Sequence, residues 1–325
     1  MTGDSRPVVG LGQCSLDILG ILRDYPDRDQ KAELQDILMQ GGGPAATALV
    51  ALARLGVDTA FVGRTGGDDH GTRIRNGLLA EGVDCSDLLV DSAGSSQVAF
   101  IVVDMEAHRN IFWHRGSAAA LTAAEVDPRR IAMAAILHLD GLQLEASLAA
   151  AEIARGQGIP TVLDGGSWRE GTVRLLPLID HLVVSEKFAR QAGGDNLPDA
   201  LRRLSTYGAR AVTVTMGKEG SLTMTGGAVY KMPAFVVRAV DTTGCGDVFH
   251  GGYIYGLLRA WDIPQVVRFA AACAALKTRA LGGRTAIPFL SEVLDLLDSQ
   301  NQVQPELLED GMIRDLTFQN SGQGL

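Results

Sequence analysis

Apolar positions along this chain fall into two kinds of run that alternate over most of its length. Val8–Gly12, Val57–Val62, Ala134–Leu139, Thr161–Asp164, His181–Ser185 and Ala211–Met216 are short, nearly continuous apolar runs and read as buried strands. Between them lie Ala- and Leu-rich stretches with helical spacing: Pro44 to Gly56, Ala146–Arg155 and Gln265–Arg279. Regular strand–helix alternation builds βαβ units and predicts a doubly wound, mainly parallel sheet. Two other runs, Gln97–Asp104 and Asn110–His114, read as alternating and are joined by a polar turn through Glu106-Ala107-His108, which predicts a hairpin. Residues Ile18–Gln40 are polar and irregular, with alternating patches such as Ala32–Ile37. Gly63–Gly71 reads as a loop in which Asp68 and Asp69 are solvated or start a helix. The polar stretch Ser299–Leu325 reads as a tail, leaving one domain over residues 1–298.

Composition narrows the function. A length of 325 residues suits one large α/β domain with a small appendage, and the aliphatic-rich, aromatic-poor content suits helices packed on a parallel sheet. A net charge of −9 argues against a nucleic-acid partner, which needs a basic face. Cys14, Cys85, Cys245 and Cys273 lie far apart without metal spacing and read as free thiols of a reducing cytosol. No apolar run reaches membrane-span length and Met1–Pro7 lacks a signal-peptide pattern, so a soluble, cytoplasmic chain is expected.

The chemistry concentrates in Asp241-Thr242-Thr243-Gly244-Cys245-Gly246-Asp247, where an extended segment gives way to a helix. Gly244 and Gly246 let a ligand approach the main chain closely. The helix start offers unpaired N–H groups and a partial positive charge, which favour a phosphate. Asp247 lies in the first turn, placed to take a proton from an attacking hydroxyl. Such a site suits phosphoryl transfer to an alcohol. A glycine-rich turn with Asp247 as a simple cap is the structural alternative.

This stretch resembles the D-T-x-G-A-G-D signature of the PfkB/ribokinase family of carbohydrate kinases, with Cys245 in place of the alanine. The resemblance runs from about Val8 to Leu297. It implies a ribokinase-like three-layer α/β/α sandwich with a small β-sheet lid drawn from about residues 18–40 and 95–116. It also implies ATP and Mg2+ as cofactors and a homodimer paired through the lids. Asp247 becomes the general base, Gly244, Cys245 and Gly246 the anion hole, and Arg169 of Asp164-Gly165-Gly166-Ser167-Trp168-Arg169 a helper that stabilises charge. For the sugar, the resemblance implicates Asp17, delivered by the turn after the first strand, then Gly41, Gly42 and Gly43. Thr47 stands in for a family asparagine, and Lys31 and Trp113 belong to the lid. For the nucleotide it implicates Ser185, Thr215, Gly217, Gly220 and Gly283. Glu186 is the candidate for Mg2+ through water, because Ser185 and Phe188 replace the usual N-x-x-E residues. Asp241 and Thr243, with main-chain oxygens of the loop Ala280–Pro288, are candidates for K+. Within the family the chain looks most similar to sulfofructose-kinase-like sugar kinases, in which Lys31 would meet a sulfonate. A neutral ketose, a sugar acid, a phosphorylated sugar and a nucleoside stay open, as does a sugar-binding regulatory protein on the same fold.

Overall fold

In the computed structural model, residues 6–193, 196–309 and 316 are described. The strands are β1 (Val8–Leu11), β2 (Ser15–Ile21), β3 (Asp36–Gly42), β4 (Thr59–Gly66), β5 (Leu88–Asp91), β6 (Val98–Val103) and β7 (Arg109–His114). They continue with β8 (Ile136–Leu139), β9 (Thr161–Gly165), β10 (His181–Ser185), β11 (Ala211–Thr215), β12 (Ser221–Thr225), β13 (Ala228–Met232) and β14 (Glu306–Leu307). A 10-stranded sheet runs in the order β14-β13-β12-β11-β10-β9-β8-β1-β4-β5. Its members from β11 to β5 pair in parallel, while β12, β13 and β14 are antiparallel additions at one edge.

The continuous apolar strands have a simple cause. Val8, Ile136, Val162 and Val183 pack into one core, and their neighbours Val9, Leu137, Leu163 and Val184 into another on the opposite face. Both faces are covered by helices, so nearly every position along these strands is buried. The first core is closed by the helices Pro44–Arg54, Cys245–Leu258 and Ile263–Lys277, the second by Leu144–Gly156, Glu186–Ala192 and Leu197–Ser205. This is the expected ribokinase-like sandwich.

The second sheet has four strands in the order β3-β2-β6-β7 and forms the lid. It is larger than expected at its base. β2 begins at Ser15, so Asp17 sits within a lid strand and not in the turn assigned to it. Other local expectations are corrected. β4 starts at Thr59 and runs to Gly66, through half of the expected loop, and Asp68 then caps the helix Asp69–Ala80 by accepting the Gly71 N–H at 2.8 Å. The extended segment before Asp241, residues 233–240, joins no strand of either sheet. The expected tail from Ser299 is partly structured, because β14 pairs with β13 and the adjoining Leu308 is buried. Its remainder, apart from residue 316, lies outside the described residues. Among those described, no helix is long and apolar enough to cross a membrane.

Candidate active site

The site forms where the carboxyl ends of β9, β10 and β11 meet the first turn of the helix Cys245–Leu258, under the lid. Ligands of open α/β sheets bind on this rim. Gly244 caps the helix with φ +75°, and a Cβ there would lie 2.8 Å from the Gly283 oxygen, so both conformation and space demand glycine. The expected anion hole is only partly open. The Cys245 N–H turns back to the Thr242 carbonyl at 3.3 Å, and the Gly246 N–H faces the Cys245 thiol. Asp247 is half-buried in this first turn. Burial, then the negative charge of Asp164, push its carboxyl well above the usual range, with Arg109 opposing.

The lid brings Asp17 to the same place. A Cβ on Gly42 would lie 2.0 Å from Asp17 Oδ2, so glycine at this position makes room for the carboxylate. Ser15 Oγ donates to Asp17 Oδ1 at 2.7 Å. Burial raises the Asp17 carboxyl, and Ser15 and Arg284 lower it. Strand register sets the direction of the other lid residues. Gln40, Asp17, Ala99 and Trp113 are directly opposed across the four strands and therefore share the inner face. Trp113 thus stands on the side of Asp17, 58% exposed.

Two sequence candidates do not join this cluster, and a third stands exposed at its edge. Lys31 stays exposed on the loop between β2 and β3. Thr47 is only 1% exposed, and its Oγ1 accepts from Arg284 Nε at 3.4 Å, so it is enclosed beneath that guanidinium instead of opening to the cleft. Arg169 is exposed beside the loop after β9, lines a small cleft with Asp140 and Asp164, and forms no ion pair among the described residues.

On the nucleotide side the strand ends coincide. Ser185 and Thr215 are register partners at the ends of β10 and β11, and the turn Gly217–Glu219 with Gly220 follows. Ser185 Oγ accepts the Phe188 N–H at 3.0 Å and donates to the Gly166 carbonyl at 2.9 Å, which fixes the start of the helix carrying Glu186. Glu186 pairs with Arg190 at 3.0 Å. No group of three or more His, Cys, Asp or Glu side chains able to cage a metal occurs among the described residues. Gly283 abuts Gly244.

Several residues at the site carried no role in the sequence reading. Arg109, at the start of β7, donates through Nη1 to Thr242 Oγ1 and acts electrostatically on Asp247. Arg284 is 5% exposed and donates from Nη2 to the Gly42 carbonyl at 3.1 Å. Asp140 accepts the N–H groups of Gln13 and Leu142 at 2.7 and 2.9 Å and ties β1 to β8; burial pushes it up to about 6. His250 lies one helical turn after Gly246. Its Nδ1 is 2.7 Å from the Gly246 oxygen and its Nε2 3.1 Å from the Val183 oxygen, with Asp164 Oδ2 3.5 Å from Nδ1. In the sequence, the only available signal was a charged or polar residue inside an otherwise apolar or glycine-rich run.

The family model described as pfkB family carbohydrate kinase matches residues 8–290. An ATP-dependent ribose-1-phosphate kinase of Halopiger xanaduensis is 30% identical over 89% of this chain and 99% of its own length. A ribokinase of Haemophilus influenzae is 31% identical over 79% of this chain and 87% of its own. A solved structure from Agrobacterium tumefaciens, provisionally named a ribokinase, superposes with a TM-score of 0.84 at 28% identity, covering 91% of this chain and 99% of that one.

Proposed function

The chain belongs to the pfkB family of carbohydrate kinases, and on that premise we propose that it moves the γ-phosphoryl group of ATP to a hydroxyl of a small sugar held between Asp17 and Asp247. The observation that carries this reading is the convergence of two carboxylates from distant elements, lid strand and helix start, within electrostatic reach of each other at the glycine-capped start of the helix Cys245–Leu258. Asp17 orients the sugar through hydrogen bonds to its hydroxyls, with Trp113 covering the same face. Asp247 takes the proton of the attacking hydroxyl. The Gly244–Gly246 turn receives the charge that develops on the phosphoryl oxygens. Arg109, brought to Thr242 by the lid hairpin, takes the helper role that the family pattern suggests for Arg169. Mg2+ bridging the ATP phosphates would neutralise part of the same charge. The lid excludes water, which would otherwise compete as acceptor.

A coupled ADP-release assay with Mg–ATP tests the reading over neutral ketoses and aldoses, ketodeoxy acids, sulfofructose, sugar phosphates and nucleosides. Turnover with one sugar class is expected. Silence across the panel with ATP bound would move the chain to the regulatory alternative. The sulfofructose arm speaks to Lys31, which must swing in from its exposed loop to meet a sulfonate.

The pH profile follows from the state of Asp247. A base must be ionised, and burial next to Asp164 raises its pKa. Activity therefore falls as pH drops through that raised value, giving an acid limb above the ordinary carboxylate range. A kcat/KM profile flat down to the ordinary aspartate range would remove Asp247 from the role.

The outer face of the lid supports a homodimer. Met39, Ile18, Phe100 and Phe112 are opposed in register across all four strands, and Phe100 and Phe112 are 53% and 59% exposed. A contiguous apolar row of this kind marks an interface, and a second lid is the surface of matching shape and chemistry. Phe100→Arg should convert the dimer to monomers in sedimentation velocity. A variant that sediments like the parent would place the interface elsewhere.

A further inference from the structure

A monovalent cation between Asp241, Thr243 and the 280–288 loop needs oxygen lone pairs and space of its own. In this structure the oxygens of Asp241, the charged member of that set, are committed elsewhere. Asp241 is 0% exposed, and its Oδ1 accepts both the N–H and the O–H of Thr243, each at 2.7 Å. Its Oδ2 accepts the Gly282 N–H at 2.7 Å. Its main-chain oxygen accepts from Lys277 Nζ at 2.9 Å.

Lys277 is the last residue of the helix Ile263–Lys277 and is itself 0% exposed. Lysine is almost never fully buried without a partner, because its ammonium is a compact, strongly hydrated charge. Three features hold the charge here. The Asp241 carbonyl receives it directly, the Asp241 carboxylate lies nearby, and the helix C-terminus contributes its negative end. Next to it, the N–H groups of Val240 and Asp241 donate to the Thr278 carbonyl at 2.7 and 3.1 Å, so the helix end and the catalytic stretch are stitched together.

We propose that the Lys277 ammonium replaces the monovalent cation, holding the Asp241 carbonyl and, through Asp241, both Thr243 and Gly282. The catalytic stretch and the loop behind it are then fixed without potassium, because the cation is tethered to the chain. Lys277 is a positioning residue, since it acts on the reaction only through Asp241. The donor set expected for K+ from Asp241 and Thr243 is, in this chain, the socket of a lysine. The consequence for catalysis rests on the kinase reading; the cation substitution itself does not.

Thermal unfolding of the full chain in KCl against tetramethylammonium chloride at equal ionic strength separates the two. A ligand that binds only the folded state raises Tm. The parent protein should be indifferent to K+, and Lys277→Ala, which opens a cation-sized space beside Asp241, should unfold at lower temperature and be restored by K+. Lys277→Met, which fills that space without charge, should lose stability and stay unrestored. A parent protein whose Tm rises in K+ overturns the proposal. So does an alanine variant that stays indifferent, or stays unfolded, in K+. ATP binding by calorimetry in the two salts is read separately: a chain that binds no ATP in either salt sinks the kinase reading and leaves the Tm outcome to judge Lys277.

Discussion

Asp247→Asn lowers kcat by about 10²–10⁴-fold, the usual contribution of a positioned general base, while Mg–ATP still binds. Asparagine keeps the size of the side chain and its place in the first helical turn, so the nearby N–H groups are undisturbed. What it loses is the ability to accept the hydroxyl proton. The substitution also removes a negative charge that faces Asp164 and, in the complex, the incoming phosphate; ATP affinity should hold or rise. The split between an intact Kd for ATP and a collapsed kcat is the readout. Turnover near that of the parent protein would return Asp247 to the rank of a helix cap.

Gly244→Ala is expected to reduce kcat by roughly 10²–10³-fold, comparable to the loss of one oxyanion donor. Two costs combine. At φ +75° an alanine is strained by about 1–2 kcal/mol relative to glycine. Its Cβ would also lie 2.8 Å from the Gly283 oxygen, and backbone is the atom there, so one of the two turns must move. Displacing either one shifts the Gly246 N–H away from the place where charge develops. A variant with parental kcat and parental Tm would show that the turn tolerates the shift and that its geometry is not catalytic. If the Tm alone falls, the strain is real but confined to stability.

Much of the architecture was legible along the chain because its causes are local. Ile136, Leu137 and Leu139 form an apolar run because both faces of β8 are buried, so the strand announces itself without alternation. The lid hairpin was equally plain, since β6 alternates between an inner and an outer face. The base of the lid was harder to see. Ser15 and Asp17 look like turn residues, yet β2 carries them in a strand because β3 and β6 pair with it on either side and glycines at Gly41 and Gly42 leave room. Pairing of that kind is decided by partners, one of them dozens of residues away.

The same division holds for the site. Asp247, Gly244 and Gly246 were readable because a tight turn opening a helix needs glycine and a polar first-turn residue at fixed spacing, and such backbone requirements are short-range. Thr47 was assigned by its position in a helix start, and the fold turned it toward Arg284, which lies 237 residues away. Arg169 was assigned by a local pattern and stands exposed at the cleft it shares with Asp164, while Arg109 arrives at Thr242 from 133 residues upstream.

What the sequence by itself determined is therefore the α/β class, the strand–helix alternation that builds it and the glycine-rich stretch at which a kinase site is proposed, each written in apolar periodicity and in the glycine needs of one turn. Tertiary structure alone decided which polar and charged groups meet that turn: Arg109 from the lid, Arg284 beneath Gly42, His250 beside Asp164, and Lys277 in the socket of Asp241. Charge acts through space and leaves no periodic trace along the chain, so a buried cation becomes visible only when the elements around it are packed.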